Sequence, residues 1–170
     1  NVSLLVAVPA VFEAMYRKLW DGVKKAKKEN IFRVLLAVSD FLRFMGIDIR
    51  RKIFKSVLNQ IGPNLRLAVS GAAPLDAEVI KGFDKIGFKI LQGYGLTEAS
   101  PVVAANNDFI NVPGTIGYPL GGIEVTIDNP DESRMGELLA RGGNIMLGYY
   151  EDPAATSETL GKDGWLRTGD

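Results

Sequence analysis

The sequence predicts an α/β fold: a layer of parallel strands and helices, followed by a mostly antiparallel β subdomain. Three observations carry that reading. Strand-like and helix-period apolar segments follow one another as β-α-α-α-β-α-β over residues 2–94, the order that yields a parallel sheet covered by helices. Near residue 112 the texture changes to short strands separated by polar, glycine-rich turns. The 170 residues are 46% hydrophobic and 24% charged, which suits a chain of about one domain with a real core. The expected division is 1–112 for the α/β portion and 113–170 for the β portion.

Each element has its own signature. VSLLVAVP (2–9) is a short apolar run stopped by proline, a buried strand. VFEAMYRKLWDGVKKAKKEN places Val11, Met15, Leu19 and Val23 four apart, with Phe12, Tyr16 and Trp20 beside them and Lys and Arg opposite. That is an amphipathic helix with Pro9 near its start. A second helix is expected over 31–45, with Ile31, Leu35, Val38, Leu42 and Met45 as its buried stripe. Arg33, Asp40 and Arg43 interrupt it, which argues against a membrane span. A third helix covers 49–61. LRLAVS (65–70) is a strand, PLDAEVIKGFDKI (74–86) a helix and FKILQGY (88–94) a strand. NVPGTIGYPLGG is a turn-rich connection in which Gly114 and Gly117 form turns. IEVTID, GELLARG and IMLGYY then read as short strands. DPAATSETL is a short helix, capped by Asp152 with Pro153 in its first turn.

Composition removes several function classes. The net charge is zero but unevenly spread: residues 1–60 carry 12 Lys+Arg against 5 Asp+Glu, and residues 113–170 carry 4 against 10. No uniform basic footprint for nucleic acid exists. There is no cysteine and no histidine, so this chain holds no thiolate or His-ligated metal site, no Cys nucleophile and no Ser-His-Asp triad. The absence of cysteine fits a reducing compartment, and the expected location is cytoplasmic. The first residue is Asn, inside an apolar run, and the last motif ends abruptly, so both ends read as cut from a longer protein.

Three short motifs carry candidate chemistry. LQGYGLTEAS (91–100) contains G-x-G, but Glu98 stands where a dinucleotide fingerprint has its third glycine, and a carboxylate there would repel a pyrophosphate. Gly93 and Gly95 allow close approach to backbone, Tyr94 offers a stacking face, Thr97 a hydroxyl, and Glu98 a hard oxygen suited to Mg²⁺. SGAAPLD (70–76) joins a strand to a helix, the place where open α/β sheets gather ligands, with Gly71, Ala72 and Ala73 leaving a slot against backbone. GWLRTGD (164–170) ends in Asp170, whose carboxylate can accept both ribose hydroxyls. Taken singly, each motif also reads as an ordinary turn.

Together, SGAAPL, QGYGLTE and GELLARGGNIMLGYYEDPAATSETLGKDGWLRTGD resemble the adenylate-forming superfamily: acyl-CoA synthetases, adenylation domains of peptide synthetases, and luciferases. The resemblance spans essentially all of the chain, and VPAVFEAMYRKL is most similar to long-chain fatty acid–CoA ligases. It implies that the chain is a central part of the family's large N-terminal domain. It also implies that Gly93-Tyr94-Gly95 forms one wall of an adenine slot and the Gly71–Ala73 backbone the other. Gln92 and Gly93 would line the meeting of adenine edge and acyl carboxylate. Thr97 would contact the α-phosphate or the acyl carboxylate, Glu98 would hold Mg²⁺, and Asp170 would bind the ribose. Thr97 and Glu98 would thus be the catalytic pair. Arg167 stands where relatives often carry histidine.

The implied reaction joins ATP and a long-chain fatty acid into acyl-AMP, then transfers the acyl group to coenzyme A. An amino-acid- or aryl-acid-activating ligase, or a weak AMP-binding module without turnover, remain the alternatives. The family's phosphate loop and catalytic lysine have no counterpart in these residues, so the chain alone is expected to be inactive. The run KKAKKEN (24–30) reads either as the solvated end of a helix or as a contact for an anionic membrane surface. The VSLLVAV edge is expected to favour self-association.

Overall fold

The computed structural model describes residues 2–170. The chain order is β1 (Leu4–Ala7), α1 (Pro9–Lys25), α2 (Glu29–Phe44), α3 (Arg50–Ile53), α4 (Lys55–Ile61), β2 (Leu67–Ser70), α5 (Ala77–Lys85) and β3 (Lys89–Gly95). A 3₁₀ turn at Thr97–Ala99 follows, then β4 (Val102–Ala105), β5 (Tyr118–Pro119), β6 (Ile123–Asp128), β7 (Glu137–Gly142), α6 (Pro153–Thr159) and β8 (Leu166–Arg167). The fold is mixed α/β with parallel and antiparallel pairing, as the sequence pattern predicts. Two compact units interleave along the chain: Asn1–Gln92 with Asn107–Thr115, and Gly93–Asn106 with Ile116–Asp170.

In the first unit β1, β2 and the start of β3 pair in parallel, with Leu4 opposite Leu67 and Leu67 opposite Lys89. Its core is aromatic. Phe88, Phe83, Tyr16, Trp20, Phe32 and Phe54 form an unbroken run of ring contacts, with centroids 5.4–6.3 Å apart and mostly edge to face. That geometry suits the ring quadrupoles and adds to the apolar area each ring removes from water. Phe12, Phe83 and Phe88 are fully buried within it.

Three helices of this unit end in the same way. At α2 the N–H of Gly46 donates to the Arg43 carbonyl and that of Ile47 to the Leu42 carbonyl, with Gly46 left-handed. Gly87 closes α5 with the same pair of bonds. At α1 the left-handed position falls on Lys27 (φ 54°), whose N–H donates to Lys24 while that of Lys28 donates to Val23. These caps satisfy carbonyls at the helix end, and glycine is the usual residue at the left-handed position.

The structure corrects several boundaries. The first helix stops at Lys25 rather than running through the lysine tract, because Lys27 caps it. The third splits at Phe54, which is buried against Phe32. The fifth starts at Ala77, because Asp76 caps it by accepting the Glu78 N–H at 2.8 Å. In α2 the inward side is Phe32, Leu35, Leu36 and Ser39, whereas Ile31, Val38 and Met45 of the expected stripe face solvent. IMLGYY is not a strand. Strands β4, β5 and β8 emerge only through pairing.

In the second unit the end of β3 pairs antiparallel with β4, and β4 with β5. A separate antiparallel sheet runs β6-β7-β8. Ala99, Val103, Ala140 and Leu166 form its small buried core. Arg167 on β8 bridges Glu137 at 2.8 Å and Asp128 at 3.1 Å, tying the three strands together.

An ion cluster fastens α3 to the last turn of α5. Arg50 grips Asp48 through two bonds of 2.9 and 2.7 Å and reaches the Asp84 carboxylate at 3.0 Å. The Arg50 hydrogen bond holds the Asp48 carboxyl at about 2, below its ordinary 3.8. A carboxyl depressed on folding stabilises above its unfolded value, and that contribution is lost as pH falls through the folded value. Asp48→Asn should therefore lower Tm near neutrality by roughly 2–4 °C, since solvent screening leaves about 1 kcal/mol for this half-exposed carboxylate. The difference from wild type should close as pH falls from 3.8 toward about 2 in a thermal-melt series.

Candidate functional site

The predicted residues Tyr94, Thr97, Glu98 and Asp170 all fall in the second compact unit. Their placement starts from Gly95. A Cβ there would meet the Pro101 carbonyl oxygen at 1.8 Å, so only glycine permits this approach of β3 to the β4 entry. The pairing register shifts between Tyr94 and Gly95, a bulge that ends the ladder and starts the 3₁₀ turn carrying Thr97 and Glu98. Gly117 makes a second backbone approach: left-handed, with a Cβ position 2.1 Å from Ala105. Gly93 differs. Its Cβ would find Ala104 O at 3.4 Å and Ala105 Cβ at 3.6 Å, ordinary contact that does not by itself require glycine.

Tyr94 and Asp170, 76 positions apart, meet directly. The Tyr94 hydroxyl donates to Asp170 Oδ2 at 2.5 Å, the length of a charge-assisted O–H···O⁻ bond. Partial burial, and next the bond to Asp170, raise the phenol above its ordinary value. Asp170 is itself seated by the strand beside it. The Leu138 N–H donates to the Asp170 carbonyl at 2.9 Å, and the Thr168 hydroxyl donates to the Leu138 carbonyl at 2.7 Å.

Glu98 is held by a segment that sequence reasoning did not connect with it. Asn144 Nδ2 donates to the Ala99 carbonyl at 2.6 Å and the Val102 carbonyl at 3.2 Å. The Met146 N–H donates to the Glu98 carbonyl at 2.8 Å, and the Tyr149 hydroxyl to Glu98 Oε1 at 2.9 Å. The hydrogen bond to Glu98, then desolvation, raises the Tyr149 phenol. Tyr149 is anchored in turn by α6, where Thr156 Oγ1 accepts its N–H at 2.9 Å. So residues 144–149 form a clamp on the 3₁₀ turn rather than the strand their apolar content suggests. The polar Asn and Tyr within an apolar run were the one signal of this. A cavity of about 340 Å³ opens beside Glu98 and Tyr149, lined also by Glu158, Arg167 and Thr168. Arg167 is committed to Glu137 and Asp128, so it acts in the sheet.

The remaining predicted residues lie in the first unit. Gln92 is buried at its boundary on β3. Gly71, Ala72 and Ala73 follow β2, with Ala72 and Ala73 exposed and Ala72 left-handed at φ 70°. An alanine in that region costs about 1 kcal/mol, so the loop holds its shape against local preference. Ser70, fully buried just before it, has a hydroxyl with no hydrogen-bond partner among the described residues.

The profile of the AMP-binding enzyme family matches residues 1–150. The chain belongs to that family. It is 37% identical over 98% of its length to a chloroplastic long-chain-fatty-acid–[acyl-carrier-protein] ligase of Arabidopsis thaliana, covering 25% of that protein. It is 33% identical over 99% of its length to a long-chain-fatty-acid–CoA ligase of Mycobacterium bovis, covering 29% of it. A malonyl-CoA ligase solved with methylmalonyl-CoA and AMP shares the fold at TM-score 0.68 and 24% identity, over 99% of this chain and 30% of that one. The chain thus spans about a quarter of the length of the curated relatives it matches. The adenylate-forming assignment made from the motifs is correct.

Two outcomes test this geometry. Gly95→Ala should unfold or strongly destabilise the chain, while Gly93→Ala should keep its fold, as read by circular dichroism and thermal melting; equal stability of the two would contradict the close approach at Pro101. In Asp170→Ala the Tyr94 phenol should titrate lower than in wild type yet stay above its ordinary value, because burial, the larger cause, remains. Ring-labelled tyrosine NMR across alkaline pH reads this directly, and an unmoved Tyr94 would refute the bond.

Proposed function

We propose that the whole protein is an ATP-dependent, AMP-forming long-chain fatty acid–CoA ligase, and that this chain carries part of its nucleotide site. Support for the substrate class comes from the long-chain ligases among the relatives. The observation that carries the site is the direct bond between Tyr94 and Asp170, which joins two motifs distant in sequence.

In this reading the carboxylate of Asp170 accepts the ribose hydroxyls while Tyr94, tethered to it, holds its ring in one orientation against the base. Tethering removes rotamer freedom before the ligand arrives, so less ordering entropy is lost on binding. In the first unit, the Gly71–Ala73 backbone and Gln92 are the residues that the resemblance assigns to nucleotide contact.

Glu98 fits one ligand position of Mg²⁺. Its carboxylate offers a hard oxygen, and the Tyr149 bond engages Oε1 and orients the group. Among the described residues no cluster of three or more metal-binding side chains forms. Mg²⁺ typically takes one or two carboxylates and fills its other positions with water and substrate phosphate. When bound, the ion would spread the negative charge that develops at the phosphates. Thr97, exposed at the start of the same turn, would donate its hydroxyl to the α-phosphate or the acyl carboxylate. The protein's part in such a reaction is positioning and charge stabilisation rather than covalent chemistry.

The chain by itself is proposed to bind nucleotide weakly without turnover, because its residues include neither the family's phosphate loop nor its catalytic lysine.

In the whole protein, Glu98→Gln should cut ATP–pyrophosphate exchange by roughly two orders of magnitude, the scale of losing several kcal/mol of charge stabilisation. Asp170→Ala should instead raise KM for ATP about tenfold or more with a smaller effect on kcat. A substrate panel in the same assay should favour palmitate over amino acids and aryl acids. Preference for either of those would replace the long-chain assignment while leaving the adenylation chemistry. The isolated chain, given ATP, Mg²⁺, palmitate and coenzyme A, should form no thioester above background.

A further inference from the structure

Glu98 is gripped at main chain and side chain by one short segment. The Met146 N–H donates to its carbonyl at 2.8 Å, and the Tyr149 hydroxyl donates to its Oε1 at 2.9 Å. Asn144 pins the carbonyl of the next residue, Ala99. A glutamate on a 3₁₀ turn has a long, freely rotating side chain, so these bonds decide where its carboxylate stands.

What keeps Tyr149 in place lies on α6. The Thr156 hydroxyl donates to the Asp152 carbonyl at 2.7 Å and accepts the Tyr149 N–H at 2.9 Å. One hydroxyl thus fills both a donor and an acceptor role; valine, of the same shape, could fill neither. Gly148 brings the backbone against this hydroxyl. It sits at φ 149°, and a Cβ there would come within 2.8 Å of the Thr156 Cγ2 methyl. Asp152 in turn caps α6 by accepting the Ala155 N–H. A line of hydrogen bonds therefore runs from Asp152 through Thr156 and Tyr149 to Glu98, and all of it lies in the second compact unit.

We propose that Tyr149 and Thr156 are positioning residues for the Glu98 carboxylate: the Tyr149 hydroxyl holds the carboxylate in one orientation, and α6, through Thr156, holds Tyr149. The inference rests on the reading of Glu98 as a Mg²⁺ ligand. A carboxylate oriented beforehand loses less freedom when it takes the ion, which is how partners behind a metal ligand raise affinity.

The test is calorimetric binding of ATP to the whole protein, without acid substrate, in the absence and presence of Mg²⁺. The ratio of the two affinities is the gain due to the metal. Tyr149→Phe keeps the ring and should lower that gain about tenfold. Affinity for ATP alone should not move, because Tyr94 and Asp170 are untouched. Thr156→Val should lower the gain in the same direction, and Thr156→Ser, which keeps the hydroxyl, should restore it. Glu98→Gln should lower the gain at least as far as Tyr149→Phe, and combining the two should cost nothing more. Thermal melts check that each variant folds; if Tyr149→Phe does not, the valine and serine pair at Thr156 decides. A wild-type gain in Tyr149→Phe beside a lost gain in Glu98→Gln would overturn the positioning role and leave the metal reading standing. An unchanged gain in Glu98→Gln would overturn both. Additive losses in the double variant, equal weakening of ATP with and without Mg²⁺, or a serine that behaves like valine would also overturn the proposal.

Discussion

The approach of the Gly95 backbone to Pro101 is the constraint on which the candidate site depends. It leaves no volume for a side chain, forces the register shift after Tyr94, and ends the ladder where the Thr97–Ala99 turn begins. Both the direction of the Tyr94 ring and the position of Glu98 follow from that one bulge. A bulge re-aims side chains at the cost of pairing, and here the lost pairing is replaced by bonds from Asn144 and Met146 to the turn.

The site is built on paired phenols and carboxylates. Tyr94 bonds Asp170 and Tyr149 bonds Glu98. In each pair the tyrosine donates; burial, then the bond, raises the Tyr94 phenol, and the bond, then desolvation, raises the Tyr149 phenol. A neutral donor orients a carboxylate without neutralising it, unlike arginine, which would hold it in an ion pair. The arginine nearby, Arg167, is occupied by Glu137 and Asp128 in the sheet.

Legibility varied with the kind of signal. The ends of α2 and α5 were readable to within a residue, and there Gly46 and Gly87 adopt the left-handed cap at no steric cost. The end of α1 was not, because Lys27 occupies the same geometry and a lysine carries no such mark. The inward side of α2 was misread because both sides are apolar, and periodicity cannot say which one faces the core; the contacts of Phe32 with Trp20 and Phe54 decide it. IMLGYY (145–150) was taken for a strand because its apolar residues mimic one, while the Met146 N–H bonds the Glu98 carbonyl of a turn far back in the chain.

The sequence by itself determined the alternation of strands and helices, the family, and the residues that belong to its motifs, because these reside in local periodicity and in short ordered strings. The cap of α6 was equally local, set by Asp152 accepting the Ala155 N–H, whereas the like cap of α5 by Asp76 went unread and the helix start was placed three residues early. Only the tertiary structure decided that Tyr94 and Asp170 share a hydrogen bond, that Tyr149 holds Glu98, and that α2 turns an apolar stripe to solvent. Those facts depend on which distant segments the chain brings within about 3 Å, the reach of a hydrogen bond, and no local pattern encodes that distance.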